Sequence, residues 1–172
     1  MDTRPITSAT LAASVVAVPP LARDASGQCS PTENARLIRH LEAGGVTTLL
    51  YGGNAVLGHV ALSEYAGLLA MLRDSVAAET RVIPSVGPTY GMMMDQAQIL
   101  REFEFPTAMV LPSREGATPA GFALALRRFS DRCGRPAILY LKFDGTLDVG
   151  TITKLALDGV IGCVKYAIPR PR

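Results

Sequence analysis

Lys165 and Tyr140 have side chains suited to covalent chemistry, and both sit where a strand should end. Lys165 follows the uncharged run Val160-Ile161-Gly162-Cys163-Val164, which has the make-up of a buried parallel strand, and Tyr140 closes another apolar run in "PAILYL". Burying an isolated ammonium is costly unless it pairs or gives up its proton. A lysine just past a strand end ordinarily extends its amine into water. The other reading is an amine nucleophile at a strand's C-terminal end, free to attack a ketone and form a Schiff base. If the two strands are neighbours, the Tyr140 phenol approaches the same pocket and can move protons while a carbinolamine collapses. A core aromatic with a satisfied hydroxyl is the competing account of Tyr140.

A third feature is "YGGNA", Tyr51 to Ala55, after an apolar run. Glycines there allow a tight turn whose N–H groups face an anion, and Asn54 adds a side-chain donor, which suits a carboxylate. Most Gly-Gly pairs after strands are only turns. The stretch is neither a Walker loop nor a GxGxxG fingerprint, which argues against a nucleotide. His40 falls on the first helix, and His59 in the loop after Asn54 is placed to face the pocket or solvent. No Ser-His-Asp, HExxH or paired-carboxylate spacing supports a hydrolase.

The elements that must position these residues follow from the hydrophobic period. A first strand around Val15–Val18, within the apolar stretch Ala9–Leu21, precedes a helix from about Thr32 to Glu42 that Gly44-Gly45 stops. That apolar stretch has the length of a signal-peptide core, but Asp2 weakens the positive leader and two prolines interrupt the run, so a strand is preferred. "VTTLLY" is the second strand, and Ser63 is expected to cap a helix through about Ala78 with Tyr65, Leu68, Leu69 and Leu72 inward. "RVIPSV" precedes a helix from about Met92 to Phe103, and "TAMVLP" precedes one that starts at Thr118 with Pro119 in its first turn. "PAILYL" precedes a helix from about Asp148 to Leu157, and the sixth strand leads to Lys165.

Strands this apolar, alternating with single amphipathic helices, read as a parallel sheet covered by helices. An open doubly wound sheet is complete with five or six strands, whereas a (β/α)8 barrel needs eight and about 250 residues. At 172 residues the length favours the open sheet. Both architectures bind ligands at the C-terminal strand ends.

Composition narrows the function classes. With 48% hydrophobic and 19% charged residues the chain is a packed globular domain. A net charge of +2 without a basic run argues against nucleic acid. Apart from Ala9–Leu21, no stretch approaches the roughly 18 apolar residues of a membrane span. Cys29, Cys133 and Cys163 lie far apart without metal-ligand spacing, so they are expected to be unpaired thiols in a reducing cytoplasm, with no metal site.

The stretch "GGNAVLGHVALSE" resembles the strand-two motif of the dihydrodipicolinate synthase and N-acetylneuraminate lyase family, in which a Gly-Ser/Thr-Thr-Gly-Glu loop precedes a Leu-Ser-x-x-Glu-like helix start. "ILYL" resembles that family's strand-five tyrosine and "GCVKYA" its strand-six Schiff-base lysine. "GQCSPTENARLIRHLEAGGVTTLLYGG" matches the family's first helix and second strand in length and placement, so the resemblance spans nearly the whole chain.

The resemblance implies a class I aldolase-type (β/α)8 TIM barrel acting on pyruvate or another 2-oxo acid, with no cofactor. It makes residues 1–172 a single barrel domain holding about six of the eight units and incomplete at its C-terminus. The open doubly wound sheet becomes the alternative. Lys165 carries over as the imine former, Tyr140 as the proton shuttle, and Gly53, Asn54 and Ala55 as the holders of the substrate carboxylate. A cytoplasmic homo-oligomer, dimer or tetramer, is the expected assembly.

The departures bear on activity. Asn54 and Ala55 replace the loop's two hydroxyl residues, and Leu57 stands at the glutamate. "VLPSREG" lacks the tyrosine that some members lend to a neighbouring subunit, and "LKFDG" replaces Asn-x-Pro after Tyr140. A lyase, aldolase or dehydratase is therefore expected first. A degenerate member that binds a 2-oxo acid without turnover, or is purely structural, is expected second. A small doubly wound binding domain, with Lys165 and Tyr140 apart, is the third reading.

Overall fold

The computed structural model describes residues 1–113 and 116–169. A short helix α1 (Ser8–Ala12) comes first. The chain then alternates β1 (Val16–Ala17), α2 (Pro31–Ala43), β2 (Thr48–Tyr51), α3 (Leu62–Ser75), β3 (Arg81–Val86), α4 (Tyr90–Leu100), β4 (Met109–Val110), α5 (Pro119–Cys133), β5 (Ala137–Leu141), α6 (Val149–Leu157) and β6 (Ile161–Tyr166).

The helix starts show why these segments are helical. Ser30 accepts the Glu33 N–H ahead of Pro31, Thr118 accepts the Gly121 N–H at 3.1 Å ahead of Pro119, and the Asp148 carboxylate accepts the Thr151 N–H at 2.9 Å. Each cap satisfies one of the first-turn donors that a helix cannot pair internally.

Two local expectations are corrected. The front of the Ala9–Leu21 run is helical because Thr7 and Thr10 cap one another reciprocally, and the strand shrinks to Val16–Ala17. Ser63 is not a cap: α3 starts at Leu62 behind Ala61, whose carbonyl accepts the Glu64 N–H at 2.9 Å.

The six strands form one parallel sheet in the order β1-β2-β3-β4-β5-β6. A doubly wound sheet reverses its strand order at a switch point, and this one never does. The two faces differ accordingly. One packs against the helices in a large core that includes Leu49, Val82, Leu139 and the helical Leu69, Ala97 and Phe129. The other holds Leu50, Ile83, Met109 and Ile138, flanked by Val16, Leu111, Tyr140 and Cys163. Helices on one face and mainly strand side chains on the other make a curled half-barrel of the (β/α)8 TIM kind, and the doubly wound alternative is set aside. Among the described residues β1 pairs only with β2 and β6 only with β5.

The N-terminal segment covers the inner face at the N-terminal strand ends. The Asp2 N–H donates to the Thr80 carbonyl at 2.9 Å, and Ile6 packs on the inner cluster. The Asp2 carboxylate pairs with Arg81, the first residue of β3, and with Arg4 at 2.7 Å. No described helix is long and apolar enough to cross a membrane.

Candidate active site

The position of Lys165 depends on one irregularity between the last two strands. Ala137 pairs with Ile161, but the next residue, Ile138, pairs with Cys163, so Gly162 is an extra residue in β6. Side chains on a strand alternate between faces, and an inserted residue reverses the alternation beyond it. Ile161 belongs to the helix-side core, whereas Cys163 packs on the inner cluster and Lys165, two residues on, shares its face. A regular ladder running through Gly162, without the bulge, would carry Lys165 to the helix side.

Lys165 lies within β6 rather than after it, and its register partner is Tyr140. The Lys165 Nζ sits over the Tyr140 ring, 4.1 Å from the centroid. Such a contact contributes about 0.5–1 kcal/mol at an open site and holds the amine against the ring face. Both residues are half-buried and line one open cavity of about 420 Å³ at the C-terminal strand ends.

The opposite wall comes from the loop after β2, where Gly53–Ala55 and Leu57–His59 form two short 3-10 turns. Gly52 leads into them because a Cβ there would lie 2.7 Å from Met109 Cε and 3.2 Å from Ser85 Oγ. Ser85 is held in turn, its hydroxyl donating to the Tyr51 carbonyl at 2.7 Å while its own carbonyl accepts from Tyr65 at 3.0 Å. Between the two turns Val56 adopts φ 53°, a left-handed conformation that costs a β-branched residue strain.

Gly53 and Asn54 line the cavity, and the Asn54 amide donates to the Val18 carbonyl at 3.1 Å, which ties this loop to the chain beyond β1. Ala55 does not line it. Its methyl is buried in the helix-side core with Leu57 and Val60. Leu57 contributes to the cavity wall without polar atoms, and His59 lines the cavity from an exposed position.

The sequence reading missed Lys142. It stands two residues beyond Tyr140 on the same alternation and lines the same cavity. The period of two was its signal. Pro88, Leu111, Pro112 and Phe143 complete much of the wall. Within "VLPSREG", Arg114 and Glu115 lie outside the described residues, as do residues 170–172.

The cysteines are free thiols, as expected. Cys163 packs on the inner face one layer below Lys165, and burial pushes its thiol up, away from the thiolate form. Tyr51 is fully buried on the helix side with its phenol also pushed up by burial, so it takes no part in the cavity.

No protein-family model matches the chain. No curated protein matches it either. Solved structures do. Dihydrodipicolinate synthase from Oceanobacillus iheyensis superposes with a TM-score of 0.80 at 16% identity, covering 92% of this chain and 53% of that one. The fold is that of the dihydrodipicolinate synthase structures. Proteus mirabilis N-acetylneuraminate lyase, with the same fold, gives 0.80 at 14% identity over 91% of this chain and 56% of its own. A prophage protein of the dihydrodipicolinic acid synthase family from E. coli K12, in complex with pyruvate, gives 0.76 at 20% identity over 89% and 54%. The chain spans about half the length of these solved structures.

Proposed function

We propose that the protein is a lyase of the class I aldolase type that binds pyruvate or another 2-oxo acid as a Schiff base on Lys165. The observation that carries this reading is the Tyr140–Lys165 register pair, with both side chains lining one cavity at the C-terminal strand ends. The unprotonated Nζ attacks C2 of the oxo acid, and the carbinolamine loses its hydroxyl as water to leave an imine. Tyr140 relays one amine proton to the former ketone oxygen and then gives its own as that hydroxyl leaves as water, so that a protonated imine faces a Tyr140 phenolate. The imine then accepts the electron pair of the bond broken at C3, and an aldehyde leaves from a 4-hydroxy substrate as its hydroxyl proton passes to the phenolate. The substrate carboxylate lies against the Gly53–Asn54 turn, with Ala55 supporting that turn from the core. The same reading takes the chain as one barrel-type domain, acting as a homo-oligomer in the cytoplasm on a small molecule.

Incubation with pyruvate and borohydride is expected to add the reduced adduct to Lys165, located by peptide mass, and Lys165→Ala to abolish it. An unmodified Lys165 across a panel of 2-oxo acids overturns the proposal. A second reading, of a protein that binds a 2-oxo acid without turnover, draws on Leu57, an apolar wall residue where the resemblance places a glutamate. It predicts a trapped adduct with no release of aldehyde from any 4-hydroxy-2-oxo acid.

A further inference from the structure

The cavity that holds Lys165 carries more positive charge than one carboxylate needs. Its lining includes Lys142, Lys165 and His59, and among the described residues it contains no aspartate or glutamate. Neither lysine forms a salt bridge among the described residues. The carboxylate next in sequence, Asp144, lines a different cavity with Thr118 and Thr146. Elsewhere the charges of this chain are commonly matched, as at Arg127–Asp158 (2.7 Å) and Arg73–Asp74 (2.7 Å). Unmatched cations converging on one concave surface raise the local concentration of anions and favour a ligand of opposite charge.

The two lysines cannot share one task. In the Schiff-base reading Lys165 is consumed by the imine and the Gly53–Asn54 turn takes the 1-carboxylate. That leaves Lys142 as a cation facing the same space with no carboxylate among the described residues to neutralise it. We infer that the substrate is a 2-oxo acid bearing a second anionic group, a 2-oxo dicarboxylate, and that Lys142 selects it by pairing with the distal carboxylate. This inference rests on the Schiff-base reading for the chemistry at Lys165, but the charge selection stands on the cavity lining. A charge-assisted hydrogen bond is about twice as strong as a neutral one, and an apolar tail of equal length cannot replace it.

The test compares 2-oxoglutarate and 2-oxoadipate with the methyl-ended 2-oxopentanoate and 2-oxohexanoate, reading the concentration that half-saturates borohydride trapping at Lys165. The dicarboxylates are expected to half-saturate at concentrations about tenfold or more below their methyl-ended partners. Lys142→Met should erase that difference without moving the methyl-ended pair, and Lys142→Arg should keep it. Equal half-saturation in the wild type, or a preference that survives Lys142→Met, overturns the inference and leaves the Schiff-base reading intact. Calorimetry with 2-hydroxyglutarate, which has no ketone, separates the two ideas. Binding that Lys142→Met weakens about tenfold, with no adduct from any oxo acid, retains the dianion site and removes the imine. Absence of both adduct and binding overturns both.

Discussion

At the N-terminal ends of the strands Asp2 lies between Arg81 and Arg4, its side chain 4% exposed, while at the C-terminal ends Lys142 and Lys165 border an open cavity that contains no acid among the described residues. Both ends build on inward-pointing positions of the same sheet, and both place cations there. They differ in what the chain itself supplies. The lower end brings an aspartate on the N-terminal segment to neutralise Arg81, so its charges are spent on holding that segment against the sheet. Among the described residues the upper end supplies no acid of its own to that cavity. In a barrel-type sheet the N-terminal ends serve stability and the C-terminal ends serve ligands, and the charge pattern repeats that division.

The largest test reverses the alternation that aims the upper end. Inserting one alanine between Cys163 and Val164 should turn Lys165 to the helix side and abolish trapping at that residue, whereas deleting Gly162 should leave Lys165 opposite Tyr140 and keep it. The Asp2–Arg81 pair sits on β3, three strands away from β6, and should be untouched, so the acid-side loss of stability that depends on Asp2 should persist. If trapping survives the insertion, the strand register does not set the orientation of the lysine.

Next in size, Asp2→Asn should cost about 3 kcal/mol, because it leaves Arg81 buried without a counter-charge. Urea denaturation measures this, and trapping at Lys165 should stay unchanged. The hydrogen-bonded Arg4 guanidinium, aided by the charge of Arg81, holds the Asp2 carboxyl well below the usual carboxylate range. Its folded value is thus below its unfolded value, and the unfolded chain binds the proton first as pH falls. The stabilisation is complete above the ordinary value near 4 and is lost as pH drops from there through the folded value. The wild type should therefore lose stability more steeply below about pH 5 than Asp2→Asn does. Parallel pH profiles would remove Asp2 from the account of the lower end.

Smaller changes probe the loop after β2. Gly52→Ala should cost about 2 kcal/mol through crowding of Met109 and Ser85, read as a lower denaturation midpoint with no change in slope. Val56→Gly should stabilise by about 0.5–1 kcal/mol, since glycine adopts positive φ without strain. Smallest of all, Lys142→Met should move stability by less than about 0.5 kcal/mol, because its side chain is exposed and forms no salt bridge among the described residues. A large loss there would mean that Lys142 serves the fold and not a ligand.

The sequence by itself determined the alternation of elements, because apolar period, caps and breakers act over a few residues. Pro119 behind Thr118, Asp148 ahead of α6 and the run Arg81–Val86 were all readable in this way. It also singled out Lys165, Tyr140, Gly53 and Asn54, whose types and strand-end positions carry their own chemistry. Three things waited for the tertiary structure. Choosing a curled half-barrel over a doubly wound sheet required the strand order, which depends on how distant strands pair and leaves no trace in local period. Turning Lys165 inward required the bulge at Gly162, since register is a property of two strands and one extra residue reverses a face. Sending the Ala55 methyl into the core and bringing Lys142 to the cavity required the packing of loop against sheet, where close contacts between residues far apart in the chain decide which way a short turn faces.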